Sequence, residues 1–131
     1  MARVLQREWA PLGFWKSSWL VGFMWGLWHI PFLLYGHNYP GHPYLGIVAM
    51  TIGTVLFASL IAYIFYQAKS VIAAAVMYGS LNGIALAPAI ILRGGDPLLV
   101  GVMGLAGMIV LLGLNVGLYW LIRGRSIVRL N

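Results

Sequence analysis

Four long stretches without a charged side chain constrain this chain more than anything else in it. They cover residues 19–35, 44–66, 71–92 and 98–122. About 17–25 apolar residues in a helix cross the roughly 30 Å of bilayer hydrocarbon. The last three stretches meet that length, and the first does so with residues 14–18 added. Backbone groups in lipid have no water to bond, so each stretch must satisfy its own N–H and C=O groups as a helix. The expectation is an all-α integral membrane protein of four antiparallel transmembrane helices, about residues 14–35, 44–66, 71–92 and 98–122. They form a single membrane domain over 1–131. Composition agrees: 62% of residues are hydrophobic and 8% charged, against about 25% charged in soluble domains.

The charges gather at helix margins. Arg3, Arg7, Lys16, Lys69, Arg123, Arg125 and Arg129 fall on the side that holds both ends of the chain, and only Arg93 falls on the other. Basic residues favour the cytoplasmic side, which predicts a multi-pass protein of the cell membrane with both termini cytoplasmic. The net charge of +6 is accounted for by orientation and anionic headgroups, so the expected partner is the lipid bilayer and not nucleic acid. No cysteine is present, which excludes disulfides. Residues 1–16 lack the apolar core and cleavage site of a secretory signal.

Three connections are short. Residues 36–43 read GHNYPGHP, 67–70 form a tight turn, and 93–97 read RGGDP. Short connections make antiparallel neighbours in one bundle. Small residues recur every fourth position at Ser18/Gly22/Gly26, Gly79/Gly83 and Gly113/Gly117, a spacing that lets helix backbones approach closely. Trp9, Trp15, Trp19, Tyr35, Tyr44, Tyr66 and Trp120 cluster near the predicted interfaces, as aromatic anchors do.

Polar groups within apolar stretches are costly and each requires an account. His29, in MWGLWHIPF, lies about six residues, or roughly 9 Å, from the outer end of the first helix. A structural hydrogen bond to backbone loosened by Pro31 explains it as well as a functional role does. Asn82, in VMYGSLNG, shares a helix face with Tyr78, while Ser80 points elsewhere. Asn82 and Asn115 both suit the role of interhelical hydrogen-bond donors. His37 and His42 share the outer loop, but their spacing matches no tight metal motif and no carboxylate or thiolate accompanies them.

These segments resemble the CPBP family (CAAX protease and bacteriocin-processing, also called ABI) of intramembrane metalloproteases. WGLWHIPF is similar to the family's second motif, an aromatic residue four positions before a histidine, here Trp25 and His29. Phenylalanine is usual at the first of these places. VMYGSLNG resembles the third motif, a histidine four positions before an asparagine. Asn82 matches, and Tyr78 stands where the histidine is expected. The family's first motif, a glutamate pair followed by an arginine on the preceding helix, is absent. The resemblance therefore covers the second half of an eight-helix fold, with Met1 similar to an internal position of a longer member.

The resemblance implies peptide-bond hydrolysis within the membrane, on a prenylated CAAX protein or a bacteriocin-type peptide. It implies that a glutamate activates water while His29, Asn82 and the Tyr78 position orient that water or stabilise the oxyanion. It also implies a divalent metal such as zinc, with His29 as a ligand. The only carboxylates are Glu8 and Asp96, both at helix margins. The chain alone is therefore expected to be inactive, with partner helices supplying the missing half. Two other readings stand beside this one: a non-catalytic scaffold or immunity protein of the same fold, and a small transporter subunit using His29 in a proton path.

Overall fold

The computed structural model describes residues 8–91 and 95–123, with the side chains at positions 10 and 86–91 outside that description. Arg3, Arg7, Arg93, Arg125 and Arg129, and Leu92 at the end of the third apolar stretch, also lie outside it. Among the described residues all regular structure is helical. A short 3-10 turn, Ala10–Leu12, leads into α1 (Phe14–Trp28) and α2 (Ile30–Leu34). The long helices α3 (Pro43–Ala68), α4 (Val71–Ile91) and α5 (Leu105–Ile122) follow.

Helix α3 is the hub, packing against α1, α2, α4 and α5. Its closest partner is α1, and the small-residue row of α1 explains why. A Cβ on Gly22 would sit 2.5 Å from the Val55 Cα, and one on Gly26 would sit 2.8 Å from the Thr51 Cα. Ser17 and Ser18, fully buried on α1, donate their hydroxyl protons to the Phe14 carbonyl at 3.0 and 2.7 Å. The backbones thus approach without leaving a hydroxyl unbonded. The other two rows behave differently. A Cβ at Gly79, Gly83, Gly113 or Gly117 would meet nothing within 4 Å, so these rows face no described helix. Contact between α3 and α5 instead uses Asn115, whose carboxamide donates to the Leu56 carbonyl across the interface at 2.9 Å and to Leu111 at 2.8 Å. Its buried Oδ1 has no hydrogen-bond partner among the described residues.

Two expected helices have different limits. The first stretch is divided at His29 into helices of 15 and 5 residues. Pro31 is the cause: it has no N–H to bond the preceding turn, and its ring crowds that turn's carbonyl. The last stretch enters its helix at Leu105, not near residue 98. Residues 95–104 instead form consecutive turns. The Asp96 carboxylate accepts the Leu98 N–H at 2.8 Å, and Gly101 takes φ 93°, a left-handed conformation suited to glycine. The segment then folds back, with Leu105 N–H bonding the Leu98 carbonyl at 2.8 Å. By length and composition, α3 and α5 can cross a membrane, and residues 71–85 of α4 form a shorter apolar helix.

The two ends of the bundle differ. At the end carrying Lys16, Lys69 and Arg123, Phe14, Ala62 and Leu118 form a buried cluster against Trp15, Tyr63, Tyr66 and Ile122. Trp15 and Tyr66, expected as interface anchors, belong to this packing, whereas Trp19, Tyr35, Tyr44 and Trp120 are exposed. Lys69 ends α3 in a left-handed conformation (φ 50°), and the Ser70 hydroxyl accepts the Ala73 N–H at 3.3 Å to start α4. At the opposite end, Leu33 and Met50 are buried together with Tyr39 of the loop 36–42, and Leu98 and Met103 of the loop 95–104 pack against them.

Candidate active site

The break in the first apolar stretch sets the orientation of its histidine. In a regular helix the His29 N–H would bond the Trp25 carbonyl; here it bonds Gly26 at 3.0 Å. The Trp25 carbonyl is taken by the His29 imidazole, Nδ1 to oxygen, at 2.8 Å. A carbonyl can only accept, so Nδ1 carries the proton. In the neutral ring Nε2 then holds a lone pair, available to accept a hydrogen bond or ligate a metal.

A cavity of about 690 Å³ receives this ring, and Trp25, Tyr78 and Asn82 line it too. Tyr78 and Asn82 come from one face of α4, four residues apart. Trp25, Phe57 and Tyr78 make an aromatic group on the cavity wall, with Trp25 edge-on to Tyr78 at 5.3 Å and 6.1 Å from Phe57. Thr54 on α3 also lines the cavity, its hydroxyl donating to the Thr51 carbonyl at 3.0 Å. The volume lies within the roughly 300–1,000 Å³ of small-ligand sites.

The two loops form the remaining wall, with His37, Asn38 and Tyr39 on one side and residues 100–104 on the other. Tyr39 joins them. Its ring covers Gly46, where a Cβ would come within 2.8 Å, and its hydroxyl donates to the Met103 carbonyl at 2.6 Å. Only 1% of Tyr39 is exposed, and burial pushes its phenol up to about 12. His42 and Asp96 make a second link at 3.8 Å, half-exposed and correspondingly weak. Residues 36–42 reach this position through left-handed Gly36, Asn38 and Gly41.

The sequence singled out His29, Tyr78 and Asn82, and all three line this cavity. It did not single out Thr54, Tyr39 or residues 100–104. Thr54 is buried opposite Gly26, so the small-residue row was a signal for it. No sequence pattern distinguished Tyr39 from an ordinary loop residue. Asn115 is an interhelical donor between α3 and α5 and does not line the cavity.

The donor set does not fit zinc. His29 and His37 line the cavity, but no three His, Cys, Asp or Glu side chains converge among the described residues. The carboxylates are also misplaced for catalysis. Glu8 precedes α1 at the packed end. Both Asp96 oxygens are engaged outside the cavity lining, by the Leu98 N–H and by His42.

Comparison with known families follows the same residues. A family profile described as Type II CAAX prenyl endopeptidase Rce1-like matches residues 1–84, a span that includes His29, Tyr78 and Asn82. No curated protein and no solved structure matches the chain.

Proposed function

Because the chain belongs to the Type II CAAX prenyl endopeptidase Rce1-like family, we propose that its cavity is an intramembrane endopeptidase site, for CAAX-type or bacteriocin-type peptide processing, awaiting a general base. The observation that carries this reading is the convergence of a fixed imidazole, a phenol and a carboxamide on one cavity. Nε2 of His29 accepts a hydrogen bond from the attacking water and so orients its lone pair toward the scissile carbonyl. Asn82, with two N–H donors, stabilises the negative charge that develops on that carbonyl oxygen, and the Tyr78 hydroxyl is a further donor. One such preorganised donor is worth about 10²–10³ in rate.

His29 is a poor general base in this setting. Its Nδ1–H faces a neutral carbonyl, and among the described residues no carboxylate lines the cavity to stabilise the imidazolium that proton abstraction would form. The base is therefore a carboxylate brought by partner helices, on the side where Tyr78, Asn82 and Gly83 of α4 are exposed. All four apolar stretches cross the bilayer in this reading, with both termini on the cytoplasmic side.

The test is a cleavage assay on the purified chain with a prenylated CAAX peptide and an unmodified apolar peptide. The expected result is no turnover of either. Cleavage by the chain alone, abolished by His29→Ala, would show that the base is already present and overturn the assignment of roles. Among the alternatives, a non-catalytic scaffold shares the expected inactivity, and the fixed tautomer of His29 is what favours a chemical site over it.

A further inference from the structure

We infer that the seam between α1 and α5 binds a phospholipid with an anionic headgroup, at the end of the bundle that Phe14, Ala62 and Leu118 fill. Its phosphate sits between Lys16 and Arg123, and its acyl chains follow the exposed rows that run from these two cations. None of the residues involved lines the cavity, so the site stands apart from the peptidase reading.

Helix spacing sets the rows. Lys16, Trp19 and Phe23 fall three and four residues apart on one face of α1, and all are exposed. Leu112, Val116, Tyr119 and Arg123 share a face of α5 in the same way and are exposed as well. Helix α1 begins and α5 ends at the filled end, so each row runs from a cation there toward the cavity end. Both helices pack on α3, and the Trp15 ring spans the seam in front of it. Its centre lies 6.0 Å from that of Trp19 and 6.2 Å from that of Tyr119. At 1.5 Å per residue the α1 row is about 10 Å long and the α5 row about 17 Å. One leaflet holds about half of the roughly 30 Å of hydrocarbon, so the rows match the reach of acyl chains whose headgroup is at the filled end.

Charge complementarity selects the occupant. Among the described residues neither Lys16 nor Arg123 makes an ion pair. The Arg123 guanidinium instead lies over the Trp120 ring, 5.2 Å from its centre. The only side-chain carboxylates are Glu8 and Asp96. Asp96 is engaged at the cavity end by His42, and Glu8 is exposed and pairs with no cation among the described residues. The long stems of Lys16 and Arg123 can lie along the apolar rows while their charges meet a phosphate at headgroup level. Trp19, Tyr119 and Trp120 are the ring types that settle at that depth. A zwitterionic headgroup would add its own ammonium beside the two cations. A second copy of the chain would set the same cations against each other, and like charges oppose both arrangements.

The experiment places the full chain in phosphatidylcholine vesicles with a trace of phosphatidylglycerol or phosphatidylcholine spin-labelled on one acyl chain. The motionally restricted fraction of the electron paramagnetic resonance spectrum gives the relative affinity of the two lipids. The parent is expected to prefer phosphatidylglycerol. Lys16→Gln and Arg123→Gln are each expected to lower that preference by up to about fivefold, the worth of one cation near a charged leaflet. Lys69→Gln removes a charge at the same end but outside both rows, and is expected to leave the preference unchanged. No preference in the parent overturns the inference, and so does a loss in Lys69→Gln equal to that in the other two, which would mean diffuse attraction. Soluble glycerophosphoglycerol is expected not to release the labelled lipid; release by it would show a phosphate site without a lipid and overturn the assignment. Because the chain has no cysteine, Phe23→Cys provides a single thiol on the α1 row. It is expected to stay monomeric under mild oxidation in the same vesicles. A disulfide-linked dimer would put a second copy in the seam and overturn the choice of occupant.

Discussion

At the filled end of the bundle, ring packs edge-on against ring: Phe14 lies 5.2 Å from Trp15 and 6.1 Å from Tyr66, and Leu118 and Ala62 join the same cluster from α5 and α3. At the cavity end α1, α3 and α4 line a cavity of about 690 Å³, and two loops form its remaining wall. The difference has a local origin. Toward the filled end, α1 is a continuous helix whose Ser18 and Gly22 admit α3 at backbone distance. Toward the cavity end, Pro31 breaks the helix, and a side chain takes up a carbonyl that a regular turn would have used. Close packing and a broken helix are thus successive features of one apolar stretch, and the second places a reactive group where the first leaves off.

The comparison breaks most readily at glycine. Gly22→Leu drives a side chain into the α3 backbone and is expected to cost about 3 kcal/mol, the upper part of the overpacking range. Gly113→Leu, made where nothing lies within 4 Å, is expected to stay within about 1 kcal/mol of the parent, with helix propensity favouring leucine. Reversible unfolding in mixed micelles measures both. Similar losses at the two sites would mean that the open rows are packed after all.

The loop closure has a pH signature. A tyrosine whose folded pKa is about 12, against an ordinary value near 10, keeps its proton longer folded than unfolded. Stability is therefore present below pH 10 and lost as pH rises toward 12, by roughly 2–3 kcal/mol. Tyr39→Phe removes that component and, with the Met103 hydrogen bond gone, costs about 1 kcal/mol at neutral pH. Unfolding of parent and variant between pH 9 and 12 gives the two slopes. The smallest effect belongs to His42→Ala, which removes a half-exposed pair and is expected to change stability by less than about 1 kcal/mol in the same assay.

These contrasts show which features the sequence carried. The helices were legible because bilayer thickness and backbone satisfaction leave a long uncharged stretch few alternatives. Their limits were not, because hydropathy is blind to local turn chemistry. Residues 98–104 are as apolar as a helix, yet Asp96 and Gly101 turn them back on themselves. The three small-residue rows look alike in sequence. Among the described residues only Ser18/Gly22/Gly26 meets a partner, since spacing states that a close approach is permitted and not that another helix is there. His29, Tyr78 and Asn82 emerged because polar groups in apolar stretches are few and because their order resembled a family whose profile does match the chain. Tyr39 stayed hidden because its role depends on a contact 64 positions away.

The central claim, that the break at His29 presents a reactive nitrogen to the cavity, is tested most directly by nitrogen NMR of the imidazole. The protein is labelled with 15N-histidine, and His37 and His42 are replaced by glutamine to leave one signal. At a pH where the ring is neutral, the account predicts a proton on Nδ1 and a bare Nε2, with Pro31→Ala moving the ring toward the mixed tautomers of free imidazole. A proton on Nε2, or a mixture already present with Pro31 in place, would contradict it.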